Sequence, residues 1–221
     1  KISESPEASL ANGFMNPHEL NDQKITFFLR HRDYFKIDGE MFTETATFTP
    51  NVTTVSSYDP DFSKMNIADI PDYHLALPNK SFSLNGMKIH PIPALAGGMG
   101  YLVEVDGLKI FHAGLHISDS DPEHIKGFRK EIDFLKPFGP IDIVMLTTHS
   151  HSNNVSTGYE QYHYLIEQLA PKAIYLWGAN VQEQYARCVD PLKFHNVPIY
   201  YPEINKVAGD RYYYQSDNAQ K

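Results

Sequence analysis

The sequence predicts an α+β fold, a four-layer αββα sandwich of two mixed β-sheets with helices on the outside. Hairpin signals come first along the chain, with tight-turn pairs at Asn85-Gly86 and Asp106-Gly107. Strand patterns then alternate with helix patterns, and Ile141–Leu146 is nearly all apolar, as in a strand buried on both faces. Two sheets of this composition bury their apolar faces by packing against each other and against helices.

The predicted strands begin after a polar N-terminal segment and continue to the end of the chain. Residues 1–22 are polar and are assigned to an N-terminal extension, and residues 23–221 to a single domain. β-branched and aromatic runs bounded by turn residues mark the strands. In chain order they are Ile25–Leu29, Tyr34–Ile37 (before a turn at Asp38-Gly39), Val52–Val55, Ser81–Leu84, Met87–Ile89, Tyr101–Val105, Leu108–Phe111, Ile141–Leu146, Ala173–Leu176, Tyr200-Tyr201 and Arg211–Tyr214.

Two longer helices and one short helix are predicted after the strand at Leu108–Phe111, between the strands that follow it. Asp121 is a suitable N-cap and Pro122 suits the first turn, so a helix is expected over Pro122–Leu135. A second helix is expected over Gly158–Leu169, ended by Pro171, and a short one over Val181–Arg187.

Composition narrows the function classes. The formal net charge of -8 argues against nucleic acid or an anionic membrane as the main partner, and no apolar run reaches the about 20 residues that cross a bilayer. The single cysteine, Cys188, excludes an intramolecular disulfide and a cysteine-based zinc site. A soluble protein is expected. Because the chain begins at Lys1, its compartment (cytoplasmic or exported) stays open. The sequence does not predict the oligomeric state.

Several phrases of the sequence, in their order and spacing, resemble the metallo-β-lactamase superfamily of metal-dependent hydrolases, in the branch of ascorbate-6-phosphate lactonase-like proteins. They are KITFF…YFKIDGEMF, VTTVSSYDPDF, FSLNGMKIHPIPAL, GYLVEVDGLKIFHAG, GPIDIVML and LAPKAIYLW, and they span residues 24 to 180. The resemblance implies the αββα fold and a metal centre built from seven ligand positions at the ends of the strands.

Carried over residue by residue, the resemblance implies that most metal ligands have been replaced. The seven positions hold Ser57, Asp59, Asp61, Phe62, Ala96, Leu115 and Trp177, and of these only Asp61 matches the family pattern. A hydrolytic zinc site needs about three protein ligands and an open position for water. The resemblance therefore predicts no metal cofactor and a catalytically inactive, degenerate site. With Tyr58 at its rim, this pocket could instead bind a small molecule by stacking, or its apolar residues could simply fill the core.

Alternatives stay open for the same region. His116, His149 and His151, with Asp59 or Asp61, could form a relocated zinc or manganese site and make the chain a lactone, ester or phosphoester hydrolase. Asp59 and Asp61 could act as an acid–base pair, although two loop carboxylates more often form turns. A serine nucleophile at Ser57 or Ser150 beside His149 lacks a recognisable Ser-His-Asp frame.

Overall fold

A computed structural model describes residues 24–29, 51–57, 72–94, 98–114, 121–147, 155–177 and 196–200. The chain divides into two compact units. The first comprises residues 1–78 and 205–213, and the second comprises residues 79–204 and 214–221. The assignment of residues 23–221 to a single domain stays a prediction, and the N-terminal extension lies outside the described residues.

The first unit contains a three-stranded sheet in the order β1-β2-β3, with β1 Ile25–Leu29, β2 Val52–Ser57 and β3 Tyr73–Ala76. Both described pairings are parallel, whereas a mixed sheet was expected from the sequence. The central strand is the buried one, with Val55 fully inaccessible to solvent. The hydroxyl group of Thr53 donates a hydrogen bond to the carboxylate of Asp72. This bond holds the residue that directly precedes β3.

The strand β3 was not predicted from the sequence. It is four residues long, and it exposes Leu75 to 41% of its maximum. A strand is predicted from the alternation of apolar and polar residues, and a strand of four residues shows little of it. The pairing of such a strand is decided by contacts with its neighbouring strand.

The second unit contains a seven-stranded sheet in the order β10-β9-β8-β7-β6-β5-β4. Its strands are β4 Phe82–Leu84, β5 Met87–Pro93, β6 Met99–Val105, β7 Leu108–His112, β8 Ile143–Thr147, β9 Ala173–Trp177 and β10 Ile199–Tyr200. Strands β4 to β7 pair antiparallel, and β7 to β10 pair parallel. This sheet is mixed, as predicted.

Both predicted hairpins are present. The β4–β5 turn holds Asn85 and Gly86 at φ values of 50° and 80°, and the β6–β7 turn holds Asp106 and Gly107 at 51° and 78°. Two successive residues with positive φ are the signature of the type I′ turn, whose twist matches that of the flanking strands.

Two helices cover one face of this sheet. Helix α1 is Pro122–Leu135, continued by a 3₁₀ turn at Lys136–Phe138, and helix α2 is Val155–Leu169. The Asp121 side chain accepts a hydrogen bond from the backbone N–H of Glu123 at 2.8 Å, which confirms it as the N-cap. The core between helices and sheet is formed by fully buried apolar side chains, among them Phe111, Phe128, Ile132, Leu135, Val144, Leu165, Leu169 and Ile174.

Several element boundaries differ from the sequence prediction, among them the starts of α2 and β8. Helix α2 begins at Val155 rather than Gly158, because packing of its later turns outweighs the weak helix propensity of the first residues. Strand β8 begins at Ile143 rather than Ile141. The N–H of Ile141 bonds to the carbonyl of Leu169, and the buried Asp142 carboxylate accepts from the backbone N–H of Lys109 at 2.8 Å and from Lys172 at 3.0 Å. These bonds fix the entry to the strand before the ladder begins.

The remaining predicted elements, at Tyr34–Ile37, Asp38-Gly39, Val181–Arg187 and Arg211–Tyr214, lie outside the described residues. The late strand predicted at Tyr200-Tyr201 is observed as β10, one residue earlier. Among the helices that the structure describes, none is both long enough and apolar enough to cross a membrane.

Candidate functional site

Five strands of the seven-stranded sheet end at one edge, here called the carboxyl edge. Strands β7, β8, β9 and β10 are parallel, and β5 runs in the same direction because both β5 and β7 pair antiparallel with β6. The connections after β5, β7 and β8 therefore leave from this edge, and β9 ends there at Trp177. In open sheets with parallel strands, binding sites form outside the carboxyl ends of the strands.

The candidate positions of the second unit follow, along the chain, strands that end at this edge. Ala96 follows β5, Leu115 and His116 follow β7, and His149 and His151 follow β8. Neighbouring strands lie about 4.8 Å apart, so β7 lies about 5 Å from β8 and about 10 Å from β9. Strand β5 lies about 19 Å from β9 by the same spacing. The edge thus places the attachment points of His116 and of the His149–His151 pair on adjacent strands.

The backbone at the end of β7 is held tightly against β6. Gly114 has a φ of 65°, and a Cβ at this position would collide with the backbone carbonyl of Met99. A Cβ at Gly100 would lie 2.9 Å from the carbonyl oxygen of His112. The N–H of Ala113 extends the pairing with β8 by donating to Met145 at 3.0 Å. This close approach fixes the chain up to the residue that precedes Leu115.

His112 is the described histidine nearest to the end of β7, and its side chain is partly buried. Its Nδ1 accepts a hydrogen bond from the backbone N–H of Gly114 at 3.0 Å. An imidazole that accepts at Nδ1 carries its proton on Nε2 when it is neutral. The contact therefore orients the ring and ties it to the same left-handed turn that leads toward Leu115.

A row of side chains crosses the sheet at the level of His112. In register, His112 pairs with Tyr101 and with Met145, Met145 pairs with Tyr175, and Tyr175 pairs with Tyr200. Residues paired in register share one face of a sheet. The rings of Tyr175 and Tyr200 stack, with centroids 4.8 Å apart. A mainly aromatic row with one methionine therefore lies within two residues of the carboxyl edge, and the sequence analysis did not single it out.

The connection between β5 and β6 is closed at its base. The N–H of Ala94 donates to the carbonyl of Gly98 at 3.0 Å, next to the paired residues Pro93 and Met99. Ala96 lies between these two flanks, outside the described residues.

In the first unit, β2 ends at Ser57, which pairs with Ala76 of β3. Tyr58, Asp59, Asp61 and Phe62 follow this strand end along the chain. Parallel strands β1, β2 and β3 all end at the same edge of their sheet. The predicted metal loop therefore begins at the carboxyl end of a buried central strand.

For the predicted pocket, the structure describes the backbone of Ser57 and Trp177, each the last residue of a strand. The other candidate positions lie outside the described residues: Tyr58, Asp59, Asp61, Phe62, Ala96, Leu115, His116, His149 and His151. Their convergence in one pocket stays a prediction. Among the residues that are described, no three His, Cys, Asp or Glu side chains are grouped closely enough to hold a metal ion.

Comparisons with known proteins connect this fold to a structural class. Neither the protein-family models nor the curated proteins include a match to the chain. Among solved structures, the chain resembles CmlA, a diiron β-hydroxylase from Streptomyces venezuelae, with a TM-score of 0.61 and 9% identity over 82% of this chain and 44% of that chain. It also resembles the metallo-β-lactamase fold protein YhfI from Bacillus subtilis, with a TM-score of 0.56 and 9% identity over 87% of this chain and 79% of that one.

A third neighbour is described as a possible metal-dependent hydrolase from Veillonella parvula, with a TM-score of 0.50 and 10% identity over 70% of this chain and 65% of that one. At such low identity these likenesses show the fold alone. The chain has the metallo-β-lactamase fold, and it spans less than half of the length of CmlA. The superfamily resemblance is thereby supported at the level of the fold, and the assignment to the lactonase-like branch stays a prediction.

Proposed function

We propose that this chain is a metallo-β-lactamase-fold protein without a hydrolytic metal centre, which binds a small molecule or a partner through the residues at the expected metal-ligand positions. The observation that carries the proposal is the identity of the residues at the expected ligand positions. Four of the seven are Phe62, Ala96, Leu115 and Trp177. The four-layer αββα arrangement predicted from the sequence is part of this proposal.

The donor set does not fit a hydrolytic zinc centre. Zinc takes nitrogen, sulfur or carboxylate ligands, and phenyl, methyl, isobutyl and indole groups offer none of these. The remaining carboxylates, Asp59 and Asp61, would hold a hard cation that keeps most of its water. No activated water and no Lewis acid follow from such a set, so no hydrolytic step is assigned to it.

The replacing residues favour an apolar ligand. Aromatic side chains bury a large area and offer flat faces on which a ring can stack. Ligand pockets are mostly apolar with a few placed polar groups, which here would be Asp59, Asp61 and the hydroxyl of Ser57. The stacked Tyr175 and Tyr200 just inside the edge extend this aromatic character into the described part of the sheet.

The ligand hypothesis can be tested with the chain's single tryptophan, Trp177, as the reporter. We expect saturable energy transfer from Trp177 to 8-anilinonaphthalene-1-sulfonate bound to the folded protein. Phe62→Ser should weaken the binding about tenfold, since burial of a phenyl ring contributes roughly 1.5–3 kcal/mol. Phe134→Ser, which alters an exposed ring on α1, is the matched control and should leave it unchanged. Transfer that does not saturate, or that is equal in both variants, contradicts the proposal.

A second candidate function is a divalent-metal-dependent hydrolase with a relocated site. The adjacency of β7 and β8 favours it, because His116 and the His149–His151 pair leave from neighbouring strand ends. Imidazoles from adjacent strand ends, with Asp59 or Asp61, would supply a ligand set for zinc or manganese. Structural neighbours that are named as a diiron β-hydroxylase and a possible metal-dependent hydrolase are consistent with this alternative.

Calorimetric titration with zinc separates the two candidates. The proposal predicts no submicromolar binding to the wild type. Submicromolar binding that disappears in His149→Ala and His151→Ala, but persists in the control His124→Ala on the exposed face of α1, would establish the relocated site. In the same preparations we expect no lactonase, β-lactamase or phosphodiesterase turnover with added zinc or manganese. Metal-stimulated turnover that is lost in Asp61→Ala would overturn the proposal.

A further inference from the structure

Three side chains on the β4–β5–β6 part of the second unit form a hydrogen-bonded relay. The hydroxyl oxygen of Ser81 lies 2.6 Å from Nδ1 of His90, and Nε2 of His90 lies 2.7 Å from Oε1 of Glu104. Ser81 directly precedes β4, His90 lies on β5 and Glu104 lies on β6. None of these residues belongs to the candidate positions at the carboxyl edge.

The relay combines an exposed serine residue with a buried imidazole. Ser81 is exposed, whereas the side chain of His90 is only 2% accessible. The ring of Phe138 packs against the imidazole with the centroids 4.4 Å apart, which excludes water from that side. Solvent therefore reaches the serine and not the base, which is the arrangement that a surface nucleophile with a sheltered general base requires.

Charged groups around the relay keep its carboxylate ionised. The hydrogen bond from His90 is the largest cause that lowers the pKa of Glu104, and burial opposes it. Lys88 adds to the lowering, with its ammonium nitrogen 3.5 Å from Oε1 of Glu104. Lys109 pairs with Glu104 in the β6–β7 ladder, and its ammonium group is bound to the carbonyl of Phe138 at 2.6 Å. These are the charged groups that face the pair from the neighbouring strands.

The ionised carboxylate decides the tautomer of the imidazole. A carboxylate only accepts hydrogen bonds, so Nε2 of His90 must carry a proton and donate it to Glu104. Nδ1 of a neutral imidazole is then a lone pair, which accepts the hydroxyl hydrogen of Ser81. The division of roles is that of a nucleophile, a base and a group that orients the base, with the two ring nitrogens exchanged relative to the serine protease triad.

We propose that Ser81 is a base-activated nucleophile that accepts the acyl group of a small activated ester. In the first step the Ser81 oxygen forms a bond to the carbonyl carbon, its proton moves to Nδ1 of His90, and the ester C–O bond breaks to release the alcohol, which takes up that proton. In the second step water attacks the acyl-serine, the same nitrogen takes the water proton, and the carboxylic acid leaves as Ser81 regains its hydrogen.

The experiment uses p-nitrophenyl acetate as the acyl donor and locates the acetyl group by peptide mass spectrometry. We expect acetylation of Ser81 in the wild type, with no acetyl group on that peptide position in Ser81→Ala. The control Ser83→Ala removes the other exposed serine of this hairpin strand and should leave the Ser81 rate unchanged. A chelator in the buffer should have no effect, because the step needs no metal. The outcome of this experiment is therefore independent of whether the chain binds a metal, so its failure can be told apart from failure of the proposed function.

Two further variants separate a catalytic role from a structural one. His90→Gln should slow acetylation of Ser81 about 100-fold, a common contribution of a general base. Glu104→Gln keeps an acceptor for Nε2 but removes the negative charge. We expect a rate about tenfold lower at neutral pH and an altered pH–rate profile, because no negative charge then stabilises the imidazolium that forms when Ser81 transfers its proton.

A relay that only holds the hairpin together would change the melting temperature of Glu104→Gln and not its pH–rate profile. Circular dichroism confirms that each variant is folded before rates are compared. If Ser81 in the folded wild type is acetylated no faster than Ser83, or if Glu104→Gln leaves the pH profile of Ser81 unchanged, the proposal is wrong.

Discussion

Gly114 follows β7 and directly precedes the candidate position Leu115 in the chain. Its φ of 65° lies in the left-handed region, and its backbone packs directly against the carbonyl of Met99. Glycine is the residue that adopts this conformation without steric cost. The requirement arises from a contact between β6 and the end of β7, so the residue type has a structural reason independent of any chemistry at the site.

Gly114→Ala is expected to destabilise the protein by at least about 1–3 kcal/mol, the usual cost of a strained backbone, with the collision at Met99 adding to it. The matched control is Gly127→Ala on α1, where a Cβ would meet no atom within 4 Å. That variant should stabilise by about 0.5–1 kcal/mol, because alanine is the better helix former. Urea denaturation measures both. Equal effects of the two substitutions would show that the strained turn is not needed.

Glu131 on α1 provides a pH-dependent prediction at the same scale. Burial is the largest cause that raises the pKa of its carboxyl group, and Lys130 and a hydrogen bond with Asn79 oppose it. A carboxyl with a raised pKa in the folded state favours folding while it is protonated. The contribution of Glu131 to the free energy of unfolding is present below the unfolded-state pKa of the carboxyl group. It is lost as the pH rises through the folded-state pKa.

Glu131→Gln keeps a polar group able to bond Asn79 and removes the charge, so it should become more stabilising relative to the wild type as the pH rises from about 4 to 7. Chemical denaturation at a series of pH values measures the difference. A difference that shrinks over this range would contradict the assigned burial.

Single residues also mark what the sequence could and could not predict. The Asn85-Gly86 and Asp106-Gly107 turns and the Asp121 cap were predicted correctly, because their signals are local. The role of Gly114 was not, since it depends on Met99, which is distant in sequence. The His90 relay was also missed, because its three members stand on three different chain segments and only the strand register brings them together.

At the scale of elements, helix α1 depends on its first turn. Asp121 satisfies the backbone N–H of Glu123, one of the four N–H groups that lack a partner within the helix. Asp121→Ala should cost about 1 kcal/mol of the free energy of unfolding, whereas Asp121→Asn, which can still cap, should cost only a few tenths. Thermal or urea unfolding compares the two. A loss of the same size in both variants would assign the effect to the charge at the helix terminus instead of to the cap.

Elements whose patterns are strong were predicted, and elements fixed by their neighbours were not. The hairpins, α1 and β9 follow from turn residues, caps and apolar runs in the sequence. The short strand β3, at the edge of the described part of its sheet, exposes Leu75 and has no such pattern, so its pairing with β2 could not be predicted. The first two residues of the strand predicted at Ile141 instead bond to Leu169 and Lys109. These bonds depend on how α2 and β7 pack against the start of the strand, which the sequence pattern does not show.

At the scale of the whole molecule, the order of the strand phrases was sufficient to predict the metallo-β-lactamase fold, which the structural neighbours confirm. The order of the phrases predicts the fold because each phrase corresponds to strands at a fixed place in the sheet topology. This holds although only 9% of the residues are identical to those of CmlA. The state of the metal centre is different. It depends on how side chains from separate loops converge, and the candidate residues from Tyr58 to Phe62 and from His149 to His151 lie outside the described residues.

The central claim, a metallo-β-lactamase fold without a hydrolytic metal centre, is tested most directly by measuring bound metal. The protein is purified without chelators and its zinc, manganese and iron are counted per chain by plasma mass spectrometry. We predict far less than one metal ion per chain, before and after dialysis against zinc, because Phe62, Ala96, Leu115 and Trp177 offer no donor. About one or two ions per chain, lost in His149→Ala or Asp61→Ala, would contradict the claim and establish the relocated site.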